Sequence, residues 1–183
     1  MGALVIRVEP DSPAAAAGIA LCDFLERASG EDLRQVGSLE AFTARMREAA
    51  MLAHAPLAVR KYDAVTESYS PGAVDLRLPA EVGAKAGMSL STQILVLEVA
   101  PDSPAAQAGI EPGDFIESVN GERVPDIRSP TLIDQRVSDA ALNDGVVTLT
   151  VGRWRPVPDS PEQKLAFSSR REVTVAVGSA VGG

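Results

Sequence analysis

The sequence predicts a mostly β protein built from two similar domains in tandem, each a small antiparallel β-barrel or sandwich with two helices. Three observations predict this fold class. The phrase Pro-Asp-Ser-Pro-Ala-Ala, followed by Ala-Gly-Ile, begins at Pro10 and is repeated from Pro101. Short runs rich in Val, Ile and Leu are separated by turn residues, which is typical of strands. Each half of the chain also carries one longer segment with apolar residues at helical spacing.

The two phrases belong to one long repeat. Gly18 aligns with Gly109, 91 residues later, and the alignment runs without a gap to Gly30 and Gly121. Upstream, "LVIRV" aligns with "LVLEV". A period near 90 residues is too long for a solenoid unit, whereas a chain of 183 residues can bury the cores of two small domains. We therefore predict domain 1 at residues 1–92 and domain 2 at residues 93–183.

Each copy begins with a strand that must end at the Pro-Asp-Ser-Pro phrase, because proline cannot donate to a strand ladder. Ser12 is a good N-cap with proline at the first helical position, so a short Ala-rich helix follows. Gly18 can end that helix in the left-handed conformation. Next, "DFLERASGEDL" and "DFIESVNGERV" each predict a strand, a Gly turn and a strand.

The longer helix of each copy follows that hairpin. In the first copy, Ser38 caps a helix whose apolar residues fall on one face. In the second copy, the helix begins at Ser129-Pro130 and ends at Asn143-Asp144-Gly145. A hairpin then closes each copy, "LAVRKY" with "AVDLRL" and "VVTLTVGRW" with "REVTVAV". The apolar helix positions are Leu39, Phe42, Met46 and Ala49 in the first copy and Ile133, Val137 and Ala140 in the second.

Composition argues against several classes of function. A net charge of −8 and a pI near 4.7 disfavour nucleic acid as a partner, because phosphate binding needs clustered Lys and Arg. The basic residues Arg153 to Arg155, with Arg170 and Arg171, are interpreted as a solvated hairpin. A single cysteine excludes an internal disulfide and a multi-Cys metal site, and no apolar run is long enough to span a bilayer. We expect no metal and no cofactor.

The candidates for catalysis are weak. His54 is the only histidine and stands at the predicted end of a helix, where a structural role is favoured. Cys22 is followed by Asp23 without a local base, which favours a buried structural thiol. Neither H-E-x-x-H nor G-x-S-x-G is present. We therefore expect no catalytic residue and no enzymatic activity.

The pattern V-x-x-D-S-P-A-A-x-A-G-I, with G-D-F-I-x-x-V-N-G in the second copy, resembles the PDZ domain in its bacterial-type, circularly permuted form. Two known arrangements fit. The tandem without an intervening protease, the Leu21-Cys22-Asp23-Phe24 step and "APLAVRKYDAVTESYS" are similar to the Golgi reassembly and stacking (GRASP) family. A PDZ pair from a site-2 or HtrA-type protease would have about the same size, so both interpretations stay open.

The GRASP resemblance implies a non-enzymatic scaffold that captures C-terminal or internal β-strand segments of partner proteins, or of another copy of itself. It also implies membrane tethering and Golgi organisation, with a cytoplasmic protein attached peripherally to a membrane through a partner. The protease resemblance implies a substrate-sensing region, periplasmic in location. In both cases the partners are protein C-termini or extended peptides.

Binding by strand addition needs an exposed strand edge and a loop whose backbone N–H groups can approach a terminal carboxylate. The stretch "VGAKAGMSLST" supplies glycine for close approach and then an alternating strand. In an ordinary bacterial PDZ this strand serves the domain that follows it, and in the GRASP arrangement it closes the domain before it. After "REVTVAV" only six residues remain, so in the second arrangement the edge of domain 2 is expected to be open. The predicted peptide-binding residues are Gly83, Gly87, Met88, Ser89, Leu90 and Ser91 of this stretch, Leu39, Phe42 and Met46 of the first helix, and Ile133 and Val137 of the second.

Overall fold

The computed structural model describes residues 2–33, 38–52, 54–79, 85–124, 130–161 and 163–177, with only the backbone of 130–134 and 141. The chain divides into two compact units. Unit 1 comprises residues 1–92 and 154–166, and unit 2 comprises residues 93–153 and 167–183.

Unit 1 is a sheet with one short and one long helix. Its strands lie in the order β6-β1-β2-β4-β5, with β3 beside β2, and the pairs β1–β2, β2–β4 and β4–β5 are antiparallel. The elements in chain order are β1 (Gly2–Val8), α1 (Pro13–Ala16), β2 (Phe24–Ala28), β3 (Glu31–Asp32), α2 (Leu39–Leu52), β4 (Ala55–Asp63), β5 (Ser68–Leu76) and the first part of β6 (Met88–Leu95).

Unit 2 repeats this plan. Its strands lie in the order β6-β7-β9-β10, with β8 beside β7, and β7 is antiparallel to both β6 and β9. After the last part of β6 come α3 (Pro104–Gln107), β7 (Phe115–Val119), β8 (Glu122–Arg123), α4 (Pro130–Asn143), β9 (Val146–Pro156) and β10 (Leu165–Ala176). The predicted fold class is confirmed, since the protein is mostly β with the curled antiparallel sheet of a PDZ-like fold.

The repeated phrase forms the corner between the first strand and the short helix of each unit. Ser12 caps α1, and its Oγ accepts a hydrogen bond from the Ala15 N–H at 3.2 Å, with proline at the first helical position. Gly18 follows α1 with φ of +84°, which glycine adopts without steric cost. Ser103 and Gly109 do the same for α3. The local prediction for this corner is confirmed in both copies.

The core of unit 1 lies between the sheet and α2. Phe42 and Met46 of α2 are about 1% exposed and lie in one cluster with Leu25 and Leu57 of the neighbouring strands. A buried aliphatic or aromatic side chain contributes roughly 1.5–3 kcal/mol relative to an exposed one. The apolar face of α2 therefore holds the helix against the sheet and fixes where its other face lies.

Candidate functional site

A groove runs along unit 1 between helix α2 and the start of strand β6. It encloses about 610 Å³. Leu39, Thr43 and Met46 face it from the helix, and Met88 and Leu90 face it from the strand. Because Thr43 and Leu90 are half-buried, an apolar ligand side chain placed between them would lose much of its contact with water.

Strand β6 contributes its first residues, from Met88 to Leu90, to the groove. In the sheet order β6 lies between β7 and β1, and its pairs with β7 are at Ile94 and Leu95, which do not line the groove. An edge strand presents backbone N–H and C=O groups to which an extended peptide can bind. The groove therefore combines a backbone template with an apolar lining.

The segment before β6 is fixed to unit 1 by two backbone hydrogen bonds. The Glu9 N–H donates to the Gly87 carbonyl at 2.6 Å, and the Ala14 N–H donates to the Ala86 carbonyl at 2.9 Å. Ala86 is itself buried in the unit 1 core. Residues 85–92 thus pack with the unit that precedes them in the chain.

Position 87 requires glycine for two reasons, its positive φ and the closeness of Ser12. Its φ is +73°, and a Cβ at this position would lie 2.2 Å from the Ser12 Cβ and 2.8 Å from the Ser12 Oγ. Only a residue without a side chain allows the segment to pass so close to the cap of α1. A larger side chain at position 87 would therefore displace either the cap of α1 or the start of β6.

Four charged side chains line this groove as well. Glu9 and Glu40 are acidic, whereas Arg47 and Lys85 are basic, and Lys85 is exposed beside Ala86 and Gly87. Two charges of each sign give the groove no strong overall field. Lys85 does place a cation near the glycine segment, where a terminal carboxylate is expected to bind.

The structure brings together most of the residues that the sequence predicts for the first groove. Leu39, Met46, Gly87, Met88, Ser89 and Leu90 all line it. Phe42 does not, because it points from the same helix into the core and is 1% exposed. Ser91 belongs to β6 but is outside the lining, and Gly83 lies outside the described residues.

The two peptide-binding residues predicted on the second long helix, Ile133 and Val137, do not line the unit 1 groove in the described part of the chain. Val137 of α4 lines a separate cavity in unit 2. Ile133 lies on the backbone of α4, but its side chain is outside the described part of the chain. Among the strands described for unit 2, none takes the place beside this cavity that the start of β6 takes in unit 1.

Several residues that line the groove were not predicted from the sequence. Thr43, Ala44 and Arg47 line the groove, one turn from the apolar positions Leu39 and Met46. Helical spacing could have found them, because residues three and four apart share a face. Glu9 could not be found that way, since only the fold brings the end of β1 beside β6.

Cys22 has the environment of a structural thiol. It is fully buried, its φ is +74°, and its Sγ lies 3.6 Å from the Tyr69 hydroxyl. Burial raises the pKa of this thiol to about 11. A thiol with so high a pKa is neutral at physiological pH and therefore a poor nucleophile. The expectation of a buried Cys22 is confirmed.

His54 is exposed, and its Nδ1 lies 2.8 Å from the Asp75 Oδ1. Among the residues that the structure describes, no group of three or more His, Cys, Asp or Glu side chains is arranged to hold a metal ion. In the same part of the chain, no helix has the length and apolar character needed to cross a membrane.

The recurring carboxylates anchor equivalent turns in the two units. Asp23 accepts a hydrogen bond from the Ala20 N–H and pairs with the Lys61 Nζ. Asp114 accepts one from the Glu111 N–H and pairs with two arginines, Arg153 and Arg171.

Most of the predicted basic hairpin is thus neutralised locally. Arg170 also forms an ion pair, with Glu117, in which both guanidinium contacts are 3.0 Å or shorter. These arginines stabilise unit 2 by pairing with carboxylates, which leaves them unsuited to a phosphate site.

Part of the second copy of the repeat matches the model of a known protein family. Residues 95–153 match the family model described as PDZ domain. This segment of the chain is therefore similar to PDZ domains, which are protein-interaction modules that bind peptides and protein C-termini.

One similar curated protein comes from Synechocystis sp. and bears the name "Putative serine protease HhoB". It is 39% identical to this chain over 59 residues. The match covers 32% of this chain and 14% of that protein, so the chain corresponds to only a small part of it.

Proposed function

We propose that this chain is a non-enzymatic peptide-binding scaffold that captures extended segments, including C-termini, in the groove of unit 1. The observation that carries the proposal is the largely apolar groove that α2 and the start of β6 line together. A bound peptide would pair its backbone with β6 and place alternate side chains between the helix and the strand.

The lining favours an apolar residue in the main side-chain position. Leu39, Met46, Met88 and Leu90 surround it, and Met88 can adapt its flexible side chain to ligands of different shape. Lys85 favours a negative charge at the end beside Gly87. A peptide that ends in an apolar residue with a free carboxylate satisfies both demands.

The finer form of the proposal is a GRASP-like tandem that tethers partners or other copies of itself. Support comes from residues 85–92, which lie in unit 1 and not in the unit that follows. Attachment to a membrane through a partner would then give a cytoplasmic, peripheral protein. Self-association would arise if a strand segment of one copy entered the groove of another.

A second candidate is a substrate-sensing region of an HtrA-type protease. It is favoured by the match to the Synechocystis protein, whose name describes a serine protease. In that setting the same groove would bind unfolded or C-terminal segments of substrates. The genomic reading frame separates the two candidates, because an adjoining protease domain would overturn the scaffold proposal.

The groove is tested by titrating the chain with a library of C-terminal peptides. We expect dissociation constants on the order of micromolar, since the ordering of a free peptide offsets part of the contact energy. Leu90→Asp should abolish binding by placing a charge in the apolar lining. Val65→Asp is the matched control, because Val65 is 94% exposed in the same unit.

Leu90 also packs against the core, so its loss could unfold unit 1. A second variant, Ala44→Trp, fills the groove from an exposed position on α2 without altering the core. Peptide binding that survives both Leu90→Asp and Ala44→Trp would refute the assignment of this groove.

A further inference from the structure

The tip of the hairpin between β9 and β10 carries a third copy of part of the repeated phrase. Pro158-Asp159-Ser160-Pro161 has the same four residues that begin the phrase at Pro10 and at Pro101. This tip lies within residues 154–166, which belong to unit 1. A turn that is built twice at the corners of the two units is therefore used again at a third place.

The hairpin that carries the third copy is longer than its counterpart. Strands β4 and β5 are joined by four residues, from Ala64 to Glu67, whereas eight residues, from Val157 to Lys164, separate β9 and β10. The longer tip is an addition to the fold that the two units share. Its contacts in unit 1 are therefore where a role beyond folding is to be sought.

The third copy folds locally as the first two do. The φ of its aspartate is +55° at Asp159, close to the +57° of Asp11 and the +58° of Asp102. The Ser160 carbonyl accepts a hydrogen bond from the Gln163 N–H at 3.0 Å, which closes the turn. Two prolines and this hydrogen bond leave the tip few alternative conformations. The phrase thus holds the residue that follows it, Gln163, in a defined place.

Gln163 reaches from the tip to the end of strand β1. Its Oε1 accepts a hydrogen bond from the Val8 N–H at 2.8 Å. Val8 is the last residue of β1 and is buried, a position at which an N–H without an acceptor would be costly. Gln163 also has φ of +51°, which a residue with a side chain adopts only where its surroundings impose it. The strained backbone therefore serves to aim the amide at β1.

The hydrogen bond from Val8 adjoins the one that holds the groove strand. The next N–H along the chain, that of Glu9, donates to the Gly87 carbonyl at 2.6 Å. The two N–H groups lie on either side of the Val8 Cα, so the two hydrogen bonds together restrict its φ and ψ. Glu9, Gly87 and Met88 line the groove, whereas Gln163 does not. The Gln163 side chain thus acts on the groove only through the end of β1.

A second contact anchors the hairpin beside its tip. The thiol of Cys22, which is fully buried, donates to the Trp154 carbonyl at 3.6 Å. The hairpin therefore does not depend on Gln163 alone for its attachment. Loss of the Gln163 side chain should free the end of β1 without detaching the tip.

We propose that Gln163 is a positioning residue for the peptide groove of unit 1. By holding the end of β1, it keeps Gly87 and Met88 in the arrangement that accepts a peptide. This inference rests on the proposed function, because it concerns the affinity of the same groove. A groove that is already ordered binds more tightly, since less conformational freedom is lost when the peptide arrives.

Peptide titration with a matched control tests the proposal. The probe is a fluorescent peptide of about ten residues that ends in leucine with a free carboxylate, titrated into the full chain and its variants. Gln163→Gly removes the side chain but relieves the positive φ, so the tip itself should keep its stability. We expect its binding to be about 3- to 10-fold weaker. Asp159→Gly relieves a similar φ at an exposed residue of the same tip and should bind within about 2-fold of the unchanged protein.

Two further variants and amide hydrogen exchange separate positioning from a general effect on folding. Gln163→Glu keeps an oxygen that can accept from the Val8 N–H, so its binding should stay within about 2-fold at physiological salt. Gln163→Asn tolerates the positive φ but is one methylene shorter, so it should bind as weakly as Gln163→Gly. In the Gly and Asn variants, exchange at the Val8 N–H should be at least about 10-fold faster, with exchange in β4 and β5 unchanged.

Three results would overturn the proposal and leave the peptide groove standing. Unchanged exchange at Val8 in Gln163→Gly would show that the side chain does not hold β1. Faster exchange with unchanged peptide affinity would show that the end of β1 does not position the groove. An equal loss of affinity in Asp159→Gly would assign the effect to the tip as a whole. If the unchanged protein bound neither this probe nor any peptide of the library, the proposed function would fail, and this inference with it.

Discussion

The close approach of Gly87 to Ser12 predicts that Gly87→Ala is far more damaging than an ordinary glycine substitution. Alanine at φ of +73° costs roughly 1–2 kcal/mol in backbone strain alone. Its Cβ would also lie 2.2 Å from the Ser12 Cβ, a distance at which the segment must move away. That movement would break the hydrogen bonds from Glu9 and Ala14, whose net worth is about 0.5–1.5 kcal/mol each.

These contributions give an expected loss of about 2–5 kcal/mol in the free energy of unfolding of unit 1. Gly18→Ala is the matched control, because Gly18 has φ of +84° and, apart from its chain neighbours, no atom within 4 Å of the place that a Cβ would take. It should show the strain alone, about 1–2 kcal/mol. The difference between the two variants therefore measures the contact with Ser12.

Urea unfolding followed by the fluorescence of the single tryptophan, Trp154, which belongs to unit 1, provides the measurement. The double variant Ser12→Gly with Gly87→Ala should recover part of the loss, since glycine at the cap removes the clashing Cβ and costs only a few tenths of a kcal/mol as a cap. Equal destabilisation by Gly87→Ala and Gly18→Ala would refute the reasoning, as would an absence of coupling in the double variant.

Three other predictions follow from the cores and turns. Phe42→Ala should destabilise unit 1 by about 3–5 kcal/mol in urea unfolding, as expected for a core residue, whereas a residue of the peptide site would chiefly affect binding. Asp114→Asn should destabilise unit 2 more than Asp23→Asn destabilises unit 1, measured the same way. The first change leaves two arginines without their shared carboxylate, whereas the second leaves only one lysine without its carboxylate. The pKa of Cys22 is raised from 9.0 to about 11, so its contribution of about 2–3 kcal/mol is complete below pH 9 and is lost as pH rises to 11. Between pH 8.5 and pH 10, urea unfolding should show roughly half of this loss, about 1 kcal/mol, and Cys22→Ala should reduce it; an unchanged difference would show that Cys22 is not the titrating group.

The sequence predicts well those features that a few neighbouring residues determine. The serine cap and the glycine stop of the corner are local, and both copies adopt them as expected. The long helices are also recognisable from spacing. The side of a helix that faces the core is less accessible to sequence reasoning, because Phe42 and Leu39 are both apolar and only one turn apart. Phe42 meets the sheet and Leu39 meets the groove, a difference that depends on where β6 lies.

The position of β6 is a tertiary fact, and it decides how the two repeats differ. The same residue types at equivalent positions form a sealed core in unit 1 and an open cavity in unit 2. Repeating the lining of a cavity does not repeat its cover when the cover comes from a segment outside the repeated phrase. A duplicated domain can therefore keep one fold while its two copies present different surfaces, a groove between a helix and a strand in unit 1 and an aliphatic cavity in unit 2. The repeat alone identifies the fold, and the residues that cover each copy determine what that copy can bind.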